Sequence, residues 1–205
     1  MTQEEIVERM HSGRLYLCDD PQIAKEQLEW LDRVYDYNHL KPSQQKEKTA
    51  LLKKMFAHIG EGCYIETPFY ANWGGKHVHF GDRVYANFNL TMVDDTKITV
   101  GNDVMIGPNV TLCTGTHPVS PRLREQVAQY NLPVTIGNNV WIGGSCVILP
   151  GVTIGDHSII GAGSVVTRDI PDNVVAYGNP CRVRRPITEQ DDKIFRGDMP
   201  VDLPL

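Results

Sequence analysis

Residues 134–169 read VTIGNN VWIGGS CVILPG VTIGDH SIIGAG SVVTRD, and the third place of each block holds an aliphatic residue: Ile136, Ile142, Ile148, Ile154, Ile160, Val166. A β-strand alternates its side chains with period two, so a period of six demands a corner after each short strand. Glycine follows the aliphatic position at Gly137, Gly143, Gly155 and Gly161. Gly or Asn at such a corner supplies the permissive backbone of a tight bend. The aliphatic residue then points inward, beside the small or branched residue two places earlier (Val140, Cys146, Val152, Ser158). Three flat sides close a triangle, so three blocks make one coil, and coils stack at the strand spacing of about 4.8 Å.

The phase extends upstream as ITVGND VMIGPN VTLCTG from Ile98 and as VHFGDR VYANFN LTMVDD from Val78, with Gly81, Gly101 and Gly107 in the same place. Residues 78–95, 98–115, 134–151 and 152–169 therefore read as four coils. The strands of a β-sandwich keep no six-residue phase, so a parallel β-helix is expected. Thr96-Lys97 is a two-residue insertion at a corner, and residues 116–133 (THPVSPRLREQVAQYNLP) form an excursion without the repeat. Solenoids carry such insertions outside, and long loops in compact proteins are usually functional.

Residues 1–57 read as a helical module. Ile6, Val7 and Met10 form an apolar stripe that Ser12-Gly13 can stop; Asp20-Pro21 is an N-cap with Pro at the first helical position. Ile23, Gln27, Leu28, Leu31, Val34 and Tyr35 follow helical spacing up to Asn38-His39. Lys41-Pro42-Ser43 opens a third helix with Ala50, Leu51, Met55 and Phe56 as its buried face, ended by Gly60. The expected organisation is a helical module at 1–57, a β-helix at 58–175 with the external loop 116–133, and a C-terminal cap and tail at 176–205. The cap contains YGNPCRVRRP and covers strand edges that the end of the stack would expose.

The chain has 205 residues and a net charge of −5, from 20 Lys and Arg against 25 Asp and Glu. A nucleic-acid scavenger is normally basic, which disfavours that class. No apolar run reaches the roughly 18 residues of a membrane span. The start, MTQEEIVERM, is acidic and amphipathic rather than a signal peptide. Cys18, Cys63, Cys113, Cys146 and Cys181 are scattered without a CxxC pair, against a disulfide framework or structural zinc and in favour of the cytoplasm. His77 and His79, two apart on a strand, share a face but lack a third ligand at suitable spacing, so no metal is expected.

Several stretches together resemble the hexapeptide-repeat acyltransferases, and within them the galactoside and maltose O-acetyltransferases. They are YANFNLTMVDD at 85–95, THPV at 116–119, VTIGNNVWIGG at 134–144 and GAGSVVTRDIPDNVVAYGNPCRV at 161–183, with the helical N-terminal module. The resemblance spans nearly the whole chain. It implies a left-handed β-helix, a homotrimer with sites between subunits, and transfer of acetyl from acetyl-CoA to a hydroxyl of a sugar or glycoside. The left hand comes from the resemblance alone, since the general crossover rule favours the right.

The resemblance places the catalytic histidine on His117, where an imidazole titrating near neutrality suits removal of the hydroxyl proton. Acceptor contacts fall on Asn87 and Asp95, with Tyr85 nearby; Asn and Asp are also natural corner residues. An N-terminal aspartate is expected too, with Asp19 and Asp20 competing and Cys18 at another alignment. A further contact near Asn72 sits in ANWGGKHVHFG, whose spacing departs by about one residue. Trp141 is either a wall of the acceptor pocket or packing between subunits, and the two are compatible.

For coenzyme A the matched positions are Gly144, Ala162, Thr167, Arg168, Arg182 and Arg185. Backbone groups at Gly144 and Ala162 can pair with pantetheine amides, and an N–H around Gly144 can serve the oxyanion. The arginines suit phosphates, although CRVRRP also reads as a solvated basic patch. Cys113, in the corner slot after Leu112, is structural rather than a nucleophile, so transfer is direct. Competing readings are another hydroxyl acceptor, such as an antibiotic or envelope sugar; a zinc enzyme of the carbonic-anhydrase kind, for which no three histidines converge; and a trimeric scaffold without catalysis, against which His117 argues.

Overall fold

A computed structural model describes residues 1–203; the last two residues of the expected tail lie outside the described residues. The chain opens with α1 (Gln3–Ser12), β1 (Tyr16–Leu17), α2 (Pro21–Asn38) and α3 (Gln45–Met55). Thr2 and Glu5 form a capping box on α1, and Gly13 ends it in the left-handed conformation. Asp20 caps α2 by accepting from the N–H groups of Gln22 and Ile23, both at 3.0 Å. One expectation is corrected here. Helix α3 starts at Gln45, after a turn, and its buried face is Lys48, Leu52 and Met55, while Ala50 is exposed. On α2 the buried residues are Ile23, Val34 and Tyr37, and Leu28, Leu31 and Tyr35 stay exposed.

The solenoid has three sides of stacked parallel strands. The first side holds β2 (His58–Ile59), β5 (Val78–Phe80), β8 (Ile98–Val100), β13 (Val134–Ile136) and β16 (Thr153–Ile154). The second holds β3 (Tyr64–Ile65), β6 (Tyr85–Ala86), β9 (Met105–Ile106), β14 (Trp141–Ile142), β17 (Ile159–Ile160) and β19 (Val174–Tyr177). The third holds β4 (Tyr70–Ala71), β7 (Thr91–Val93), β10 (Thr111–Cys113), β15 (Val147–Ile148) and β18 (Val165–Val166). The coil is left-handed. Every aliphatic residue of the 134–169 phase is buried, as are Val140, Cys146, Val152 and Ser158 beside them.

The four expected coils are flanked by more of the same. Strands β2, β3 and β4 form an earlier coil with Ile59, Ile65 and Ala71 paired to Phe80, Ala86 and Met92. At the far end Ile170 bridges Ile154 and Ala176 pairs with Ile160. Strand β20 (Arg182–Pro186) then runs antiparallel along β19 and covers that edge. A short hairpin, β21 (Ile194–Arg196) and β22 (Met199–Pro200), follows.

The corner glycines are there for a different reason from the one expected. Left-handed backbone falls two residues later, at Arg83, Asp103, Asn109, Asn139, Ser145 and His157. The glycines after the aliphatic residues instead lie against the next coil: a Cβ on Gly137 would stand 2.3 Å from Asp156 Oδ1, and one on Gly101 would stand 2.7 Å from the Gly137 carbonyl. Close stacking excludes a side chain there.

Candidate active site

The corner between the third and first sides gathers most of the polar chemistry. Asp94, Asp95 and Thr96 are buried in it, between β7 and β8. One coil further on, the excursion leaves through β11 (Gly115–Thr116), passes α4 (Pro121–Arg124) and returns as β12 (Ala128–Asn131). Strand β12 is the centre of a three-stranded antiparallel sheet, with β11 on one edge and β1 on the other. Asn131 ties this sheet to α1, its amide donating to the Met10 carbonyl and to the Tyr16 hydroxyl, both at 3.0 Å.

His117 follows β11 directly. Its Nδ1 lies 2.8 Å from the Ala128 carbonyl; only a protonated Nδ1 can make that bond, which leaves the Nε2 lone pair as the basic edge. Burial raises the Asp95 carboxyl above its usual range, against hydrogen bonds from Asn72, Trp73 and Gln129 and the proximity of His117, which lower it. Asp95 Oδ1 accepts from Trp73 Nε1 at 3.1 Å and from Asn72 Nδ2 at 3.4 Å. The Gln129 amide, bonded to Asn131 at 2.9 Å, also favours the ionised form of Asp95. Cys113 ends β10 as a strand residue and is not in a corner slot, a correction; burial first, then Asp95, raises its thiol.

The expected site residues divide between places. Asn72, Asp95 and His117 share the third-to-first corner, and Thr167 and Arg168 occupy the same corner further up the stack, after β18. Asn87, Gly144 and Ala162 lie at the other end of the third side, after β6, β14 and β17, roughly 15 Å away at about 3.3 Å per residue. Tyr85 and Trp141 point outward from the second side, and Arg182 and Arg185 sit on the exposed strand β20. The Arg185 fork is already paired with Asp191, at 2.8 and 2.7 Å. Of the two competing aspartates, Asp20 is engaged as the cap of α2, while Asp19 is exposed beside β1.

Trp73, Gln129 and Asp94 were not among the expected residues. Trp73 stands under Asp95 because the first coil pairs with the second at a step of twenty-one residues, Tyr70 to Thr91, which repeat arithmetic at eighteen does not reveal. His77 gives its Nδ1 to the Asp94 carbonyl at 2.7 Å, and among the described residues no three His, Cys, Asp or Glu are grouped to hold a metal. A cavity of about 640 Å³ between α2 and the first coil is lined by Leu31, Tyr35, Tyr70 and Asn72 among others, and His117 is not part of it.

Comparison with known proteins bears on this arrangement. Residues 9–60 match the maltose acetyltransferase hexapeptide capping motif, and residues 133–168 match the bacterial transferase hexapeptide of six repeats. The chain is 54% identical over 203 residues to a galactoside O-acetyltransferase of Lactococcus lactis subsp. lactis (strain IL1403), covering 99% of this chain and 98% of the relative. It is 47% identical to a galactoside O-acetyltransferase of Escherichia coli (strain K12), over 96% and 97% of the two chains. Among solved structures, a galactoside acetyltransferase in complex with coenzyme A superimposes with a TM-score of 0.93 at 46% identity, over 97% of this chain and 98% of the other.

Proposed function

The chain belongs to the hexapeptide-repeat acyltransferases of the galactoside and maltose O-acetyltransferase family, and from this we infer that it transfers acetyl from acetyl-CoA to a hydroxyl of a sugar or glycoside. The observation that carries the reading to particular residues is His117, its Nδ1 committed to the Ala128 carbonyl at 2.8 Å beside the buried carboxylate of Asp95.

In this reading Asp95, Asn87 and Asp19 hold sugar hydroxyls, with Asn72 and Tyr85 at the margins. Nε2 of His117 takes the proton of the attacking hydroxyl as its oxygen bonds to the thioester carbon. The carbonyl π electrons move to oxygen, and a backbone N–H near Gly144 meets the oxyanion. Collapse re-forms the carbonyl and breaks the C–S bond, and the imidazolium returns its proton to the departing thiolate. No acetyl-enzyme forms. Gly144, Ala162 and Thr167 line the pantetheine arm, and Arg168, Arg182 and Arg185 face the phosphates.

Those groups lie at both ends of the third side, so one chain does not surround a substrate with them. Three copies packed as parallel prisms would bring the Asn87 corner of one against the His117 corner of the next. The outer face of the second side supports this homotrimer: Tyr85, Met105 and Trp141 form an in-register column and are 37%, 52% and 50% exposed. An apolar column of that kind fits a protein interface. Trp141 then packs between subunits and borders the acceptor. The five free thiols and the donor suit the cytoplasm, and among the described residues no helix is long and apolar enough to cross a membrane.

Turnover of acetyl-CoA against a panel of galactosides, glucosides, maltose and unrelated alcohols tests the reading. Acetylation of glycosides well above the simple alcohols is expected; thiol release without any acetylated glycoside would refute it.

A further inference from the structure

Asp94 takes no part in the chemistry above, yet it is fully buried next to a second carboxylate. Both of its oxygens are engaged. Oδ1 accepts the Trp73 N–H at 2.7 Å and Oδ2 the Gly75 N–H at 2.9 Å. Its backbone carbonyl meets His77 Nδ1 at 2.7 Å. One residue thus ties down three points of the turn that joins β4 to β5 in the coil beneath. The same turn delivers the two donors on Oδ1 of Asp95, Trp73 Nε1 and Asn72 Nδ2. Gly75, at φ +94°, has the Phe56 ring 2.3 Å from where a Cβ would stand, which leaves the turn little freedom to rebuild.

Two adjacent buried carboxylates repel each other, and each is desolvated. An apolar residue of similar volume at position 94 would pack without that cost, but it would release the turn. We propose that Asp94 is a positioning residue for acetyl transfer: it holds the turn so that Trp73 and Asn72 fix Oδ1 of Asp95, and the other oxygen is left oriented for the acceptor. This rests on the reading of Asp95 as an acceptor contact. Asp94 itself touches no substrate.

The test uses the full chain carrying Asp94→Asn, Trp73→Phe, or both. The amide of Asp94→Asn keeps the volume but offers one acceptor for two N–H groups; Trp73→Phe keeps an aromatic ring and removes the indole donor. Each is expected to raise the acceptor KM about ten- to a hundredfold, the range for losing a hydrogen bond to a charged group, with the KM for acetyl-CoA unchanged. The double variant should lose about as much as either single one, because both act through Asp95. Losses that multiply, or that fall on both substrates alike, would overturn the proposal in favour of a merely structural role.

A second readout needs no activity. The ¹⁵N indole resonance of Trp73, assigned by its disappearance in Trp73→Phe, should move in Asp95→Asn and again in Asp94→Asn. A resonance indifferent to Asp94→Asn overturns the positioning role whatever the kinetics. A wild-type protein that acetylates no glycoside, with the resonance moving as stated, overturns the acceptor reading and leaves the coupling of Asp94 to Asp95 supported.

Discussion

A Cβ placed on Gly115 would stand 2.4 Å from Oδ2 of Asp95 and 3.1 Å from Nε2 of Gln129. The strand that leads to His117 therefore passes directly over the carboxylate, and the absence of a side chain on Gly115 lets the two meet. Gly115→Ala should push Asp95 out of place while the solenoid core stays folded. A rise of at least tenfold in acceptor KM, with thermal stability within a few degrees of wild type, is expected; unchanged kinetics would mean that the carboxylate does not contact the acceptor.

His117→Ala should lower kcat by about 10²–10⁴, the usual span for loss of a general base, and leave coenzyme A affinity nearly unchanged by calorimetry. Cys113→Ala should keep most activity, because burial raises that thiol away from its nucleophilic form. An acetyl group trapped on Cys113 would contradict direct transfer.

Arg182→Ala combined with Arg185→Ala should weaken acetyl-CoA much more than a truncated pantetheine thioester, which lacks the nucleotide phosphates. Asp191 already takes the Arg185 fork, so the larger share of the loss is expected from Arg182. Equal losses for both donors would remove the pair from the phosphate site.

Stability should respond to pH through two opposed groups. Burial pushes the Asp94 carboxyl from 3.8 up to about 7, so across that window the native state binds a proton that the unfolded chain has lost, and this group's contribution worsens as pH rises. Burial pushes His77 from 6.5 down to about 4; there the unfolded chain binds the extra proton, and stability is lost as pH falls. Relative to wild type, Asp94→Asn should gain thermal stability from pH 5 to pH 8, and His77→Gln should gain it from pH 6.5 down to pH 4.5. Melting curves that stay parallel to wild type across these ranges would contradict both assignments.

Ile148→Asp should abolish folding. The side chain is fully buried, and an unpaired carboxylate in that apolar stack has no hydrogen-bond partner. Circular dichroism of the soluble fraction is the check, and a native-like melting transition would mean the inward phase is wrong.

The inward phase from Val78 to Val166 was readable because each coil repeats the same local demand, one aliphatic residue per flat strand. The corner glycines were readable in position but not in cause: their Cβ would collide with a neighbouring coil, a contact between residues far apart in sequence, such as Gly101 and Gly137, that local turn chemistry does not describe. Asn72 was expected near the acceptor while its partner Trp73 was not, because the longer turn between β4 and β5 shifts the register of the first coil. Asp20 was legible as the cap of α2 from Asp20-Pro21, and its carboxylate does take the first N–H groups of that helix, but the resemblance alone did not use this to separate it from Asp19 as an acceptor contact. On α2, helical spacing placed Leu28 and Tyr35 in the periodic set with Ile23 and Val34, yet only the latter two are buried; amphipathic period alone does not say how wide a stripe the solenoid will cover.

The stack also behaves as a gauge. Each coil lifts the chain by one strand spacing of about 4.8 Å; the excursion with His117 departs after β10, and on the second side three steps separate β9 from β19, along which β20 runs. In the proposed donor site, the count of rungs between imidazole and arginines sets the reach required of the coenzyme's flexible arm. Duplicating residues 152–169 in phase would leave both groups chemically intact yet one rung further apart, so that under this proposal acetyl-CoA binding should weaken while the fold survives.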